Sequence, residues 1–222
     1  MAATTPATTT GDYPVEFSVD YPDRQLDRLS SALRVLWIIP ISIVLAALGH
    51  LYVETSTWTT DSGTVQYTTW AQAGALLFLA PLLMILFRQK YPKWWFDWNL
   101  ELMRFQNRVA SYFALLRDEY PSTDDEQSVH LDIPYPDART DLNRFLPLVK
   151  WLLAIPHYIV LAILALGAII AVIIAWFAIL FTGRYPRALF DYVVGVLRWS
   201  NRVTAYAFTM MTDRYPPFRL KA

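Results

Sequence analysis

Two arrays hold the residue types best suited to chemistry in this chain. One is Arg104, Asn107 and Arg108; the other is Arg198, Asn201 and Arg202. Spacings of three and four put each set on one helical face. A guanidinium offers a fork to phosphate or carboxylate, so one reading is a site for an anionic lipid headgroup or an acidic partner. The plainer reading is structural. Asp97, Glu101, Asp118, Asp191 and Asp213 lie near the arrays in sequence and would pair with the arginines, fastening their helices to strands. Trp94, Trp95, Trp98 and Trp199 suit a quinone or a lipid tail, and more often such indoles anchor a helix at the headgroup layer. His157 follows Pro156 inside an apolar run, where an ionisable group points to function by default. Its aligned position, Ile41, is apolar, so a histidine bonded to Tyr158 or to a backbone carbonyl is the simpler expectation.

Other chemistries lack their signatures. The chain has no Cys, which excludes disulfides and thiolate chemistry. Its three His, at 50, 130 and 157, are too scattered to suggest a metal centre. Glycine-rich phosphate loops, paired-His motifs and nucleophile elbows are absent from the sequence. The expectation is a non-catalytic protein with no metal and no cofactor. Net charge is zero, so nucleic acid has no electrostatic footprint here. Of the 222 residues 55% are hydrophobic and 17% charged, a balance that belongs in lipid.

The arrays sit in a stretch that occurs twice, YPKWWFDWNLELMRFQNRVASYFALLRDEYP from Tyr91 and YPRALFDYVVGVLRWSNRVTAYAFTMMTDRYP from Tyr185. Asp97 and Asp191 are each followed seven residues on by Arg104 and Arg198. The polar stripe Asp97, Glu101, Arg104, Arg108 and Ser111 against a wide aromatic face predicts an amphipathic helix at the inner leaflet or under membrane spans. Upstream matches extend the repeat: Val15–Phe17–Val19 and Val129–Leu131–Ile133 alternate as short strands, and RVLWIIPISIVL from Arg34 matches KWLLAIPHYIVL from Lys150. Tyr-Pro occurs seven times and reads as punctuation rather than a recognition motif.

Apolar runs set the expected topology. Spans are expected at about 32–53 and 69–87, around a Thr-rich outer loop with Asp61-Ser62-Gly63 as its turn. The run from 148 to 181 is expected to form two further spans, at about 146–165 and 167–181, turning near Gly167. Arg34 snorkels to the headgroups in this scheme, and Ala168, Ala171, Ala175 and Ala178 form a helix contact. Basic residues at both ends of each pair favour the cytoplasm, with both termini there. The expected fold is an all-α membrane protein with four transmembrane helices as two tandem hairpins. Each hairpin is followed by a cytoplasmic amphipathic helix, at about 92–117 and 186–212, and preceded by a short β-strand. Residues 1–12 read as a flexible tail, 13–121 as the first repeat, 122–128 as an acidic linker and 129–222 as the second repeat.

The second repeat, LPLVKWLLAIPHYIVLAIL followed by WFAILFTGRYPRALFDYVVGVLRWSNRVTAYAFTMMTDRYPPF, resembles the bacterial membrane family known as domain of unknown function 4389. The first repeat looks like a diverged copy, with Gln89 where the second has Gly183. The resemblance implies a multi-pass protein of the bacterial plasma membrane and supplies no catalytic residue. The function expected is an accessory or scaffold subunit that engages a membrane complex, a second copy of itself or inner-leaflet lipid. The alternative is a transporter or an oligomeric pore for lipid or a small solute.

Overall fold

The computed structural model describes residues 13–60 and 63–221, with side chains outside 47–77. The segment 1–12, expected to be a tail, and residues 61 and 62 of the expected turn lie outside the described residues. The chain is mostly helical. Its order is β1 (Glu16–Val19), α1 (Arg28–Ala32), α2 (Arg34–Trp37), α3 (Ile39–Gly49), β2 (His50–Thr60), β3 (Gly63–Gln72), α4 (Ala73–Arg88), α5 (Lys93–Phe113), β4 (Val129–Asp132), α6 (Pro147–Leu153), α7 (Ile155–Thr182) and α8 (Arg187–Ala207).

Four transmembrane helices in two hairpins do not form. The first expected span breaks into α1, α2 and α3 and ends at Gly49. From His50 the chain runs as an antiparallel hairpin, Thr60 opposite Gly63 and Val53 opposite Trp70. β-branched and aromatic residues crowd this segment, and they favour pleated structure over helix. The helices left on either side, of 11 and 16 residues, fall short of the roughly 20 needed to cross a bilayer core.

The second expected pair of spans is one helix. α7 runs unbroken for 28 residues, about 42 Å of helix at 1.5 Å per residue. Gly167 is a contact rather than a turn. A Cβ there would lie 2.5 Å from the Tyr192 hydroxyl, which donates to the Leu164 carbonyl at 3.0 Å. One interior glycine costs a helix about 1 kcal/mol, whereas a turn would strand several N–H and C=O groups. α7 ends properly at Gly183, whose φ of 72° few other residues adopt cheaply and whose N–H bonds the Ile179 carbonyl. The small-residue face is used: Ala171 and Ala175 are buried beside Ile179. Proline marks a break in both halves, since α3 begins just before Pro40 and α7 just before Pro156.

α5 and α8, 21 residues each, form the centre. β1 and β4 pair antiparallel, Phe17 opposite Leu131, and their alternate residues Phe17, Val19, Val129 and Leu131 enter the main core. α8 packs on this sheet through Arg198 and on α7 through Tyr192 and Trp199. Leu115 and Met210, just past the ends of α5 and α8, both take a left-handed backbone, with φ of 62° and 56°. Such a conformation costs a branched or long residue about 1–2 kcal/mol, and burial of both side chains offsets it.

Candidate functional site

The polar groups of the molecule converge where the apolar helices meet α5, α8 and the sheet. Two buried ion pairs lie there. Arg34, 2% exposed, contacts Asp118 at 2.5 Å and donates to the carbonyls of Tyr112 and Arg117. Its guanidinium also stacks over the Tyr112 ring at 4.1 Å. Lys150, wholly buried, contacts Asp213 at 2.6 Å and donates to the Thr212 carbonyl. Both carboxylates also accept a main-chain N–H, Asp118 from Asp27 and Asp213 from Asn143. Burial pulls the Lys150 ammonium below the usual lysine range, and Asp213 opposes that pull.

Arg34 therefore does not snorkel to a headgroup. Its partner is the carboxylate that sequence spacing had offered to the arginine arrays. The signal for both pairs was present: Arg34 and Lys150 occupy matched positions, as do Asp118 and Asp213. A cation just inside an apolar run fits burial with a carboxylate as well as it fits the membrane rim.

The arginine arrays work mainly on backbone. The Arg104 Nε–H donates to the Leu131 carbonyl of β4 at 2.9 Å, and the guanidinium pairs with Glu101 and Asp132 at 2.7 and 2.8 Å. Arg198 donates to the Phe17 carbonyl of β1 and to Leu220. Each array thus grips the strand from the other half of the sequence. Arg108 donates to the Ser122 carbonyl, and Arg202 to the carbonyls of Arg219 and Lys221. Asp97 and Asp191 stay on exposed i,i+4 pairs with Lys93 and Arg187. Asn107 and Asn201 meet each other: each side-chain amide donates to the other's oxygen, at 2.8 and 2.7 Å, in the buried contact between α5 and α8.

The indoles separate. Trp94 and Trp98 are exposed, and Trp95 packs between them. Trp199 is buried and donates to His157 Nδ1 at 3.0 Å. An indole N–H only donates, so this bond fixes His157 with Nδ1 unprotonated. The imidazole also stacks on Phe218 at 4.0 Å. Neither Tyr158 nor a backbone carbonyl is its partner in these bonds.

The Tyr-Pro tyrosines act as latches. Tyr21 donates to the Tyr185 carbonyl and Tyr135 to the Tyr91 carbonyl, each crossing from one half of the sequence to the other. Tyr91 donates to the Thr209 carbonyl and Tyr13 to Arg214. Burial pushes the Tyr91 and Tyr185 phenols up, out of reach of titration near neutrality. Sequence spacing gave no warning of these bonds, because their acceptors are distant main-chain carbonyls.

Two clefts flank the arrays, about 300 Å³ beside Arg198, Arg202 and β1 and about 140 Å³ beside Arg104, Arg108 and β4. A third, of about 190 Å³, is apolar and lies between α1, α2, the end of α5 and α7. Among the described residues no three metal-binding side chains gather. The arrangement ties helices and strands together through many donor–acceptor pairs, which suits it to holding a shape.

α7 is the one described helix long and apolar enough to cross a membrane. Only 11% of its most apolar window is buried. Ile159, Ile163, Leu166, Ile170, Ile173 and Phe181 stand exposed along it.

Residues 147–219, about a third of the chain, match the family described as Domain of unknown function (DUF4389). This stretch runs from α6 to the segment beyond α8. No curated protein and no solved structure matches the chain.

Proposed function

We propose that this chain is a non-catalytic membrane protein, embedded through α7, that serves as an accessory or scaffold subunit of a membrane complex. The observation that carries the reading is the surface of α7. A core helix of a soluble protein hides its apolar side chains; this one leaves isoleucines and phenylalanines open along its length. Exposed apolar residues on neighbouring elements enlarge that surface, among them Val35, Leu36 and Trp37 of α2 and Trp151 and Leu152 of α6. The bacterial plasma membrane is the location that fits a family of this kind. A scaffold role is favoured by the assembly of α5, α8 and the β1–β4 sheet. Its Arg104, Arg198 and Arg202 are engaged with backbone carbonyls, which suits a rigid surface for a protein partner. The sequence repeat and the paired contacts of its halves support descent from a duplicated unit.

The reading is tested by fractionating cells that make the tagged full chain at native level. Resistance to alkaline carbonate extraction and release only by detergent are expected, with partner proteins retained in mild detergent. Recovery as a folded, soluble monomer would sink the membrane reading. A lone monomer from every detergent would sink the scaffold reading alone.

A further inference from the structure

The apolar cleft between α1, α2, α5 and α7 carries two buried donors with nothing to donate to. Ser31 and Arg34 line it, at 0% and 2% exposure. Ser31 Oγ and Arg34 Nε are buried and make no hydrogen bond. A buried donor left unmade costs about 1–3 kcal/mol, so an acceptor belongs at this spot. Arg34 Nε–H can only donate, the Ser31 hydroxyl can donate as well as accept, and Arg34 is already charge-neutralised by Asp118. The missing group is therefore an acceptor that needs no net charge.

The remaining wall is hydrocarbon and aromatic: Phe113, Val172, Ile173 and Trp176. Trp176 is held in place by its N–H bond to the Ser31 carbonyl at 3.1 Å. At about 190 Å³ the space is smaller than the roughly 300–1,000 Å³ of whole small-molecule sites. It suits part of one chain. Its rim includes Ile173 and Val35, which are half or more exposed, so it is continuous with the apolar face of α7.

We propose that this cleft takes one acyl chain of a bilayer phospholipid, with the ester carbonyl accepting from Ser31 Oγ–H and Arg34 Nε–H. The inference rests on the reading of α7 as membrane-embedded, because only then does a lipid reach the rim from the side. The chain lies against Val172 and Trp176, and the carbonyl removes the two unpaired donors. The bound lipid would lock α1 and α2 against α7 at the Arg34–Asp118 pair.

The test uses the full chain reconstituted in phosphatidylcholine vesicles doped with phosphatidylcholine that carries a photoreactive diazirine in one acyl chain. After irradiation, labelled residues are mapped by mass spectrometry. Labelling concentrated at Phe113, Val172 and Trp176 is expected. It should fall about tenfold in Ser31→Leu, as loss of one hydrogen bond predicts, and comparably in Val172→Phe, which fills the cleft without touching a donor. Ile159 and Ile163, on the outer face of α7, should label equally in all three proteins. That equality also guards against a misfolded variant, and Val172→Phe decides the matter if Ser31→Leu fails it. Label on Ile159 and Ile163 with none in the cleft overturns the acyl site and leaves the membrane reading standing. No label anywhere on α7 overturns both. Cleft labelling by a diazirine palmitic acid but not by the phospholipid overturns the phospholipid as occupant.

Discussion

The two halves of the chain solve one problem with different cations. In each, a basic residue at the start of an apolar run is buried against a carboxylate just beyond the central amphipathic helix. The first half uses Arg34 with Asp118 and the second uses Lys150 with Asp213. Arg34 spends its fork on two carbonyls and the carboxylate, and stacks on Tyr112. Lys150 has a single carbonyl beside its carboxylate. The difference matters because a guanidinium keeps its proton under all ordinary conditions, whereas a buried ammonium can release it. One half is therefore tied by a permanent charge and the other by a conditional one.

Removing the carboxylates separates the two most strongly. Asp118→Ala leaves a buried guanidinium without its counter-charge and should cost about 3–5 kcal/mol, read as a fall in thermal unfolding temperature in detergent. Asp213→Ala should cost less, because Lys150 escapes by deprotonating. Its ammonium is already drawn below the lysine range by burial, and Asp213 is what resists that. Between the folded and unfolded values the unfolded chain binds the extra proton, so stability rises with pH there. Without Asp213 this window reaches to lower pH. The deficit of Asp213→Ala should thus shrink as pH rises towards the ordinary lysine range, while that of Asp118→Ala stays constant. Equal deficits that move together with pH would refute the distinction.

Where the halves meet, they are alike. Asn107 and Asn201 satisfy each other in a buried contact. Asn107→Leu or Asn201→Leu alone strands an amide and should cost about 1–3 kcal/mol. The double variant should cost clearly less than the sum, since no stranded group remains. Additive losses in a denaturation series would mean that the two amides act independently.

Much of this comparison was readable beforehand because the repeat aligns residues by chemistry. Matching Arg34 to Lys150 and Asp118 to Asp213 needed only the sequence, as did the strands around Phe17 and Leu131 and the helices bearing Arg104 and Arg198. The topology was misread for a physical reason. Hydropathy counts apolar residues, and in His50–Gln72 the same residues also favour strands, so a hairpin takes the flanks of both expected spans. Gly167 invited a turn by type alone, yet its lack of a Cβ serves the Tyr192 hydroxyl. Main-chain acceptors were invisible altogether. Neither the latch from Tyr21 to Tyr185 nor the grip of Arg198 on Phe17 has a side-chain partner to find by spacing.

The smallest effect tests a place where the halves differ outright. The position after the paired carboxylate is Glu119 in the first half and Arg214 in the second. Burial alone would raise the Glu119 carboxyl, but bonds from Arg117 and Ser128 outweigh it and hold the group at about 2 against an ordinary 4.5. The unfolded chain therefore takes up a proton first as pH falls. The stabilisation is complete above about 4.5 and disappears as pH drops through about 2. Because Glu119 is partly open to solvent, its contribution at neutral pH should be no more than about 1 kcal/mol. Glu119→Gln should lose that amount near neutrality and unfold with a flatter acid limb, the two proteins converging near pH 2. Acid unfolding curves that stay parallel down to that pH would assign the acid sensitivity to groups other than Glu119.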